Sequence, residues 1–188
     1  GWYPFSNARI SDEMRAWMGQ LPAQIEFRYN DLSFRVLHGG TQLVNRWVFA
    51  SEMPIIDEEC RGSGADVTLA GHCGLPFVAR SGQQTWFNPG VIGMPANDGT
   101  PDTWYGLITP TSDGVELSYR RLKYDFRAAA AGMRRWAYAD GYAKSLITGI
   151  WPSFDVFPPA EKAQTGKRLA ARTVSVARRT AKQILAAE

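Results

Sequence analysis

Ala65-Asp66-Val67-Thr68-Leu69-Ala70-Gly71-His72-Cys73-Gly74-Leu75-Pro76 is a short apolar run that breaks into a glycine-flanked turn carrying His72. A run of this length, bounded by glycine, predicts a short buried strand over 66–70. The same arrangement stands upstream, in Phe34-Arg35-Val36-Leu37-His38-Gly39-Gly40. His38 and His72 are the two histidines of the chain, and both sit where a predicted strand ends. Downstream follows Trp86-Phe87-Asn88-Pro89-Gly90-Val91-Ile92-Gly93-Met94-Pro95-Ala96-Asn97-Asp98-Gly99, with a rigid Asn-Pro-Gly turn. Glycines let the backbone bend sharply and come close to a ligand. Imidazole is the usual nitrogen donor for Mn, Fe, Zn and Ni. Two strands ending in His-Gly and Gly-His, followed by such a turn, suit a metal site that faces a phosphate.

Outward from these motifs the pattern is mostly hairpins. Residues 24–29 and 32–37 alternate apolar and polar around Asn30-Asp31. That predicts a β-hairpin whose second strand delivers His38 at its C-terminal end, where α/β sheets hold ligands. Residues 77–80 and 85–87 make another around Ser81-Gly82-Gln83-Gln84, and 104–109 with 115–124 a third across Pro110-Thr111-Ser112-Asp113-Gly114. Such a run suits the second sheet of a two-sheet sandwich. Ile10, Met14, Trp17, Met18 and Leu21 have helical spacing, which predicts a helix over 10–21 ended by Pro22, with Met14 and Trp17 in the core. A short helix at 55–60 leaves through Arg61-Gly62-Ser63-Gly64. Asn45-Arg46-Trp47 either line the site or pack on the hairpin. From Asp125 the pattern turns helical, with an alanine-rich start at 128–133 followed by Trp136, Tyr138, Tyr142, Leu146 and Ile147. Residues 149–159 are irregular. Sparse apolar positions over 161–188 predict a weakly amphipathic surface helix. The expected division is a core at 1–124, a helical extension at 125–159 and a basic helical tail at 160–188.

A chain of 188 residues is one domain by default and long enough for a real core. No run of about eighteen apolar residues exists, so no membrane-spanning helix is expected, and no secretory pattern opens the chain. Cys60 and Cys73 do not make a disulfide framework, which points to the cytoplasm. Cys73, beside His72, is expected in the core or behind the ligands rather than on a metal. The net charge of +3 is uneven. Residues 160–188 hold seven Lys and Arg against Glu161 and Glu188, a net of +5 that leaves −2 for the rest. Cations such as Arg172, Arg178, Arg179 and Lys182 are spread around the predicted helix, as on a solvated face, so nucleic-acid binding ranks last.

From about Phe34 to Ile108 these motifs resemble the calcineurin-like metallophosphoesterases. That family ends its core strands in His-Gly and in Gly-His-x-His-x-Pro, then continues with Asn-Pro-Gly-Ser-hydrophobic-Gly and a further strand, here Trp104-Tyr105-Gly106-Leu107-Ile108. Gly74 stands where the family has its second histidine, so one ligand is missing or comes from elsewhere. The form Gly71-His72-Cys73-Gly74-Leu75-Pro76-Phe77, followed by Gly-Met-Pro-Ala-Asn-Asp-Gly-Thr-Pro and a Trp-Pro-Ser turn, is similar to a bacterial subgroup of phosphoesterases. The family's opening Asp-x-His, Gly-Asp and Gly-Asn-His-Asp motifs have no counterpart here. The resemblance therefore implies an α/β (α+β) fold: the C-terminal part of a four-layer α-β-β-α metallophosphoesterase sandwich with a C-terminal helical extension. The expected missing part is the N-terminal metal-binding segment, roughly the first third, present as another chain, lost or absent.

What the resemblance implies for chemistry follows residue by residue. His38 and His72 are metal ligands, and Asn88 and Cys73 stand behind them. The intact family mechanism uses two divalent ions, Mn, Fe, Zn or Ni, about 3.5–4 Å apart, to hydrolyse a phosphomonoester or phosphodiester. The substrate would be a phosphorylated small molecule or nucleotide. Two imidazoles alone hold a divalent ion poorly. Asp98 or Asp102 could be recruited, but in Asn97-Asp98-Gly99-Thr100-Pro101-Asp102 they more simply make a tight turn. Arg46, Trp104 and Tyr105 are substrate contacts or, for the aromatics, core. The alternative function is a degenerate phosphoesterase fold that binds proteins as a scaffold. A chain holding half of a parallel-centred sheet would also expose an apolar edge, which implies an N-terminal fragment of the same protein or a homo-oligomer to cover it.

Overall fold

The computed structural model describes residues 2–135 and 140–178. Two short helices open the chain, α1 (Trp2–Asn7) and α2 (Asp12–Gly19), then the hairpin β1 (Gln24–Tyr29) and β2 (Leu32–Leu37). Helix α3 (Met53–Ser63) leads into β3 (Val67–Leu69), followed by the hairpin β4 (Pro76–Ser81) and β5 (Gln84–Pro89). The long hairpin β6 (Thr103–Thr111) and β7 (Gly114–Leu122) precedes α4 (Phe126–Arg134), α5 (Asp140–Thr148) and α6 (Pro159–Lys162). Strand β8 (Arg172–Ala177) comes last.

The first sheet has the order β1-β2-β3-β5-β4. Its centre is parallel, with Phe34 opposite Val67 and Val67 opposite Thr85, and its two edges are the antiparallel hairpin strands. The β1–β2 turn has Asn30 and Asp31 at φ 49° and 64°, the double left-handed geometry of a tight two-residue hairpin that Asn and Asp tolerate. Asp66 then fixes β2 against β3: its Oδ2 accepts from the Ser33 amide at 2.8 Å and the Ser33 hydroxyl at 2.7 Å. Helix α3 is the crossover between these parallel strands. It begins with Pro54 in its first turn and stops at Gly64 in the left-handed conformation, as a glycine C-cap should.

Alternation in the strands divides the apolar residues between two cores. Leu32, Phe34, Val67 and Phe87 face the second sheet, β6-β7-β8, and meet Trp104, Val115, Leu117 and Val176. Leu37 and Trp86 face the other way, onto Ile56 and Cys60 of α3, with Phe49 and Phe157 beside them. Helix, sheet and sheet thus stack as three layers.

Two expectations need correction. The helix at the N-terminus forms, capped by Ser11, whose hydroxyl accepts from the Met14 amide at 3.2 Å. Yet Met14 and Trp17 are 53% and 61% exposed and are not core. Helical spacing identifies an apolar face, and nothing among the described residues covers this one. Strand β1 is exposed along its whole length, including Ile25, Phe27 and Tyr29. Among the described residues, the expected helix over 161–188 is helical only at its start, where α6 ends at Lys162. Residues 172–177 are a strand, β8, because Val174 and Val176 alternate with polar neighbours and Val176 reaches the inter-sheet core. Residues 136–139 and 179–188, including Trp136, Tyr138, Arg179 and Lys182, lie outside the described residues.

Candidate metal centre

Strands β2 and β3 are parallel neighbours, so the loops at their C-terminal ends emerge side by side. His38 follows β2 and His72 follows β3. The Gly71 amide donates to the His38 carbonyl at 2.8 Å, which ties the two loops together. The imidazoles converge, with His38 Nε2 and His72 Nδ1 2.9 Å apart and the ring centroids at 4.9 Å. His72 holds φ 59°, a left-handed backbone that is sparsely populated for a residue with a Cβ. Its Nε2 is buried and has no hydrogen-bond partner. Burial, and then the charge of His38, hold the His72 ring below the usual imidazole range, against the opposing pull of the Asn45 carbonyl. A neutral ring is the form that can coordinate a metal.

Asn88 at the end of β5 fixes the His72 loop from behind and is 1% exposed. Its Nδ2 donates to the Gly71 carbonyl at 2.7 Å and lies 3.1 Å from Cys73 Sγ. Its Oδ1 accepts from the Gly90 amide at 2.9 Å. One side chain therefore joins the loops of two strands. Burial pushes the Cys73 thiol up to about 12. Cys73 is fully buried, and its thiol lies 3.8 Å from the Leu75 carbonyl.

Sequence reasoning missed the residue that shapes the other loop. Glu59 of α3 is completely buried. It accepts from the Thr41 amide at 2.6 Å and from Arg46 Nη1 at 2.7 Å. Arg46 also bonds Glu58 at 2.7 and 2.9 Å, which drives its guanidinium still further toward the charged form. Arg46 is thus committed to α3, where a substrate contact had been considered. The loop between them is tight: a Cβ at Gly39 would stand 2.6 Å from the Val44 carbonyl oxygen. The sequence signal was a Glu on the inward face of an amphipathic helix, which needs a partner when buried.

The recruited carboxylates do not join the histidines. Asp98 caps its own turn, accepting from the Thr100 amide at 3.1 Å and hydroxyl at 2.7 Å, and pairs with Arg121. Burial alone would raise its carboxyl, but the Thr100, Leu169 and Arg121 donors outweigh that and hold it below the ordinary range. Asp102 lies 3.4 Å from the same guanidinium. Trp104 is core, 1% exposed, with Arg121 over its ring at 4.5 Å. Neither Trp104 nor Tyr105 lines the cleft beside the histidines, whereas Trp47 does, 4.3 Å from the His72 ring.

That cleft, about 950 Å³, has His38 and His72 in its wall. The donor set suits part of a metal site. At 2.9 Å one imidazole N–H donates to the other ring's nitrogen; tetrahedral ligands at about 2.1 Å from a metal stand roughly 3.4 Å apart, so a small parting of the rings would let both face one ion. Among the described residues no group of three or more His, Cys, Asp and Glu converges. His38 and His72 can therefore hold one edge of a divalent ion's coordination shell.

No family model matches the chain, and no curated protein matches its sequence. Solved structures do match. A metallophosphoesterase from Sphaerobacter thermophilus is 17% identical with a TM-score of 0.63, over 76% of this chain and 64% of that one. A hypothetical protein from Pyrococcus horikoshii OT3 is 14% identical with a TM-score of 0.65, over 77% of this chain and 57% of that one. The chain spans about three fifths of the length of these structures. The likeness is one of fold: this chain has the α+β architecture of the metallophosphoesterases.

Proposed function

We propose that this chain contributes His38 and His72 to the metal centre of a phosphoesterase that hydrolyses a phosphomonoester or phosphodiester. The observation that carries the reading is the 2.9 Å approach of the two imidazole nitrogens at the ends of adjacent parallel strands. Ligand sites of open α/β sheets lie at the C-terminal ends of the strands. When bound, divalent ions of the Mn, Fe, Zn or Ni type would polarise the phosphate and supply a hydroxide near neutral pH. The chain's own part is to hold the ligands still. Asn88 fixes the His72 loop from one side, and Glu59 with Arg46 fixes the His38 loop from the other. Trp47 packs against the His72 ring, centroids 4.3 Å apart.

Catalytic ions usually have at least three protein ligands. The remaining ligands are proposed to come from polypeptide beyond the described residues, in the same protein or in a partner copy. The exposed apolar side chains of Met14 and Trp17 on α2 and of Ile25 and Phe27 on β1 favour a second reading, a scaffold that binds another protein. The two separate on metal-dependent turnover. Bis(p-nitrophenyl) phosphate and p-nitrophenyl phosphate would be assayed with Mn²⁺, and again after His72→Ala. Hydrolysis that needs Mn²⁺ and is lost in His72→Ala supports the enzyme. Turnover unchanged by His72→Ala, or a protein that never turns over even when joined to its partner segment, leaves the scaffold.

A further inference from the structure

The cleft beside the histidines has a chemical character of its own. Its other walls are Trp47, Trp151, Tyr142, Val91, Met94 and Val156, and among the described residues no Lys, Arg, Asp or Glu lines it. Both indoles are fixed in advance. Trp151 donates its backbone N–H to Asn97 Oδ1 at 2.9 Å and its Nε1–H to the Pro95 carbonyl at 2.6 Å. Its ring also rests on Phe157, centroids 4.9 Å apart. Trp47 stacks on Phe49 at 5.9 Å, nearly parallel, and its ring lies tilted against His72 at 4.3 Å. Ser153, the small polar residue of the wall, donates its hydroxyl to Asp155 at 2.7 Å.

Gly74 explains how Trp151 gains this position. A Cβ at residue 74 would lie 3.1 Å from Trp151 Cζ2 and 3.3 Å from Cη2, and Gly74 holds φ 67° besides. The space a side chain at 74 would enter is taken by the indole. Where the resembling family has a second histidine, this chain has an aromatic wall.

We propose that this cleft is the subsite for the alcohol part of the phosphoester and that it selects a flat, apolar, aromatic alcohol over a polyhydroxylated or further charged one. The proposal rests on the phosphoesterase reading for the location of the phosphate, beside His38 and His72. Rigid indole faces gain contact with a ring at little cost in side-chain freedom. Sugar hydroxyls against Val91, Met94 and Val156 would lose water and find no replacement donors or acceptors. A volume of about 950 Å³ suits a ligand of one or two rings.

The test is calorimetric binding to the Zn²⁺-loaded protein, with phosphate release monitored so that no turnover intervenes. The probes are 1-naphthyl phosphate, glycerol 3-phosphate and 1-naphthol. The first should bind at least about tenfold tighter than the second, which carries the same charge. Trp151→Leu keeps an apolar side chain on Phe157 but removes the flat face, and it should abolish that preference while leaving glycerol 3-phosphate unchanged. Trp47→Leu serves as the independent variant if Trp151→Leu proves unfolded by circular dichroism. Equal affinities for the two phosphates, or a preference that survives both variants, would overturn the proposal and leave the phosphoesterase reading standing. Binding of 1-naphthol as tight as that of its phosphate would do the reverse, keeping the aromatic subsite and removing the phosphate from this cleft.

Discussion

Replacing Asn88 by Ala removes the side chain that holds the His72 loop. Two hydrogen bonds to backbone are lost outright, to the Gly71 carbonyl at 2.7 Å and from the Gly90 amide at 2.9 Å, together with the contact to Cys73 Sγ. A protein hydrogen bond contributes about 1 kcal/mol net, and a buried group left without its partner costs about 1–3 kcal/mol. Gly71 and Gly90 are only partly covered, so water can reach them once the side chain is gone. The expected loss is therefore about 2–4 kcal/mol. In a chain of this size about 3 kcal/mol corresponds to roughly 6–12 °C in Tm. Urea unfolding measures it directly, as a fall in midpoint at constant slope. Asn88→Asp is the sharper variant. It keeps an acceptor for the Gly90 amide but turns an anionic oxygen toward the Gly71 carbonyl, so it should be at least as unstable as Ala at neutral pH. An Asn88→Ala protein within about 0.5 kcal/mol of the parent, the range of an ordinary surface change, would refute the reasoning. So would an Asn88→Asp protein of parental stability.

Glu59→Ala strips the partner from the Thr41 amide and from one arm of Arg46, and should cost about 3–5 kcal/mol, as breaking a buried ion pair does; chemical denaturation reads this out. Asp98 has a folded-state value held below its ordinary 3.8, so its contribution is complete above that pH and fades as pH falls through the depressed value. Asp98→Asn should accordingly lower stability at pH 7, with the gap to the parent narrowing as the pH falls below 3.8; a gap that widens in acid would contradict the assigned pairing with Arg121. Trp17→Glu, at a side chain 61% exposed, should leave the unfolding midpoint within about 0.5 kcal/mol of the parent, whereas a loss of several kcal/mol would return Trp17 to a core.

Local signals carried the sheet and the two histidine loops. Asn30-Asp31 defined a hairpin whose partners run from Gln24 opposite Leu37 to Tyr29 opposite Leu32. Short apolar runs ended by glycine marked the strands that deliver His38 and His72, and Asn88 was legible as support because an Asn-Pro-Gly turn followed them. What failed was the question of what an apolar pattern packs against. Met14 and Trp17 have the spacing of a core helix, yet burial depends on elements far away in sequence, and both stay more than half exposed, at 53% and 61%. The segment at 172–177 has only Val174 and Val176 as apolar contacts, too few to separate strand from helix by period. Its pairing with β7, Val115 opposite Val176, decides the matter. Glu59 and Trp151 were missed as parts of the site, and Arg46 was read as a substrate contact, because their roles are tertiary. A buried Glu on a helix, and a Trp seated over Gly74, act on loops 13 to 77 residues away in sequence.

The most direct test of the metal reading is a Zn²⁺ titration followed by ¹⁵N NMR of the two imidazoles. The account predicts that His38 Nε2 and His72 Nδ1, the atoms 2.9 Å apart, shift together on binding, and that His38→Ala abolishes the response of His72. Unchanged spectra at millimolar Zn²⁺, or coordination through the opposite nitrogens, would contradict it.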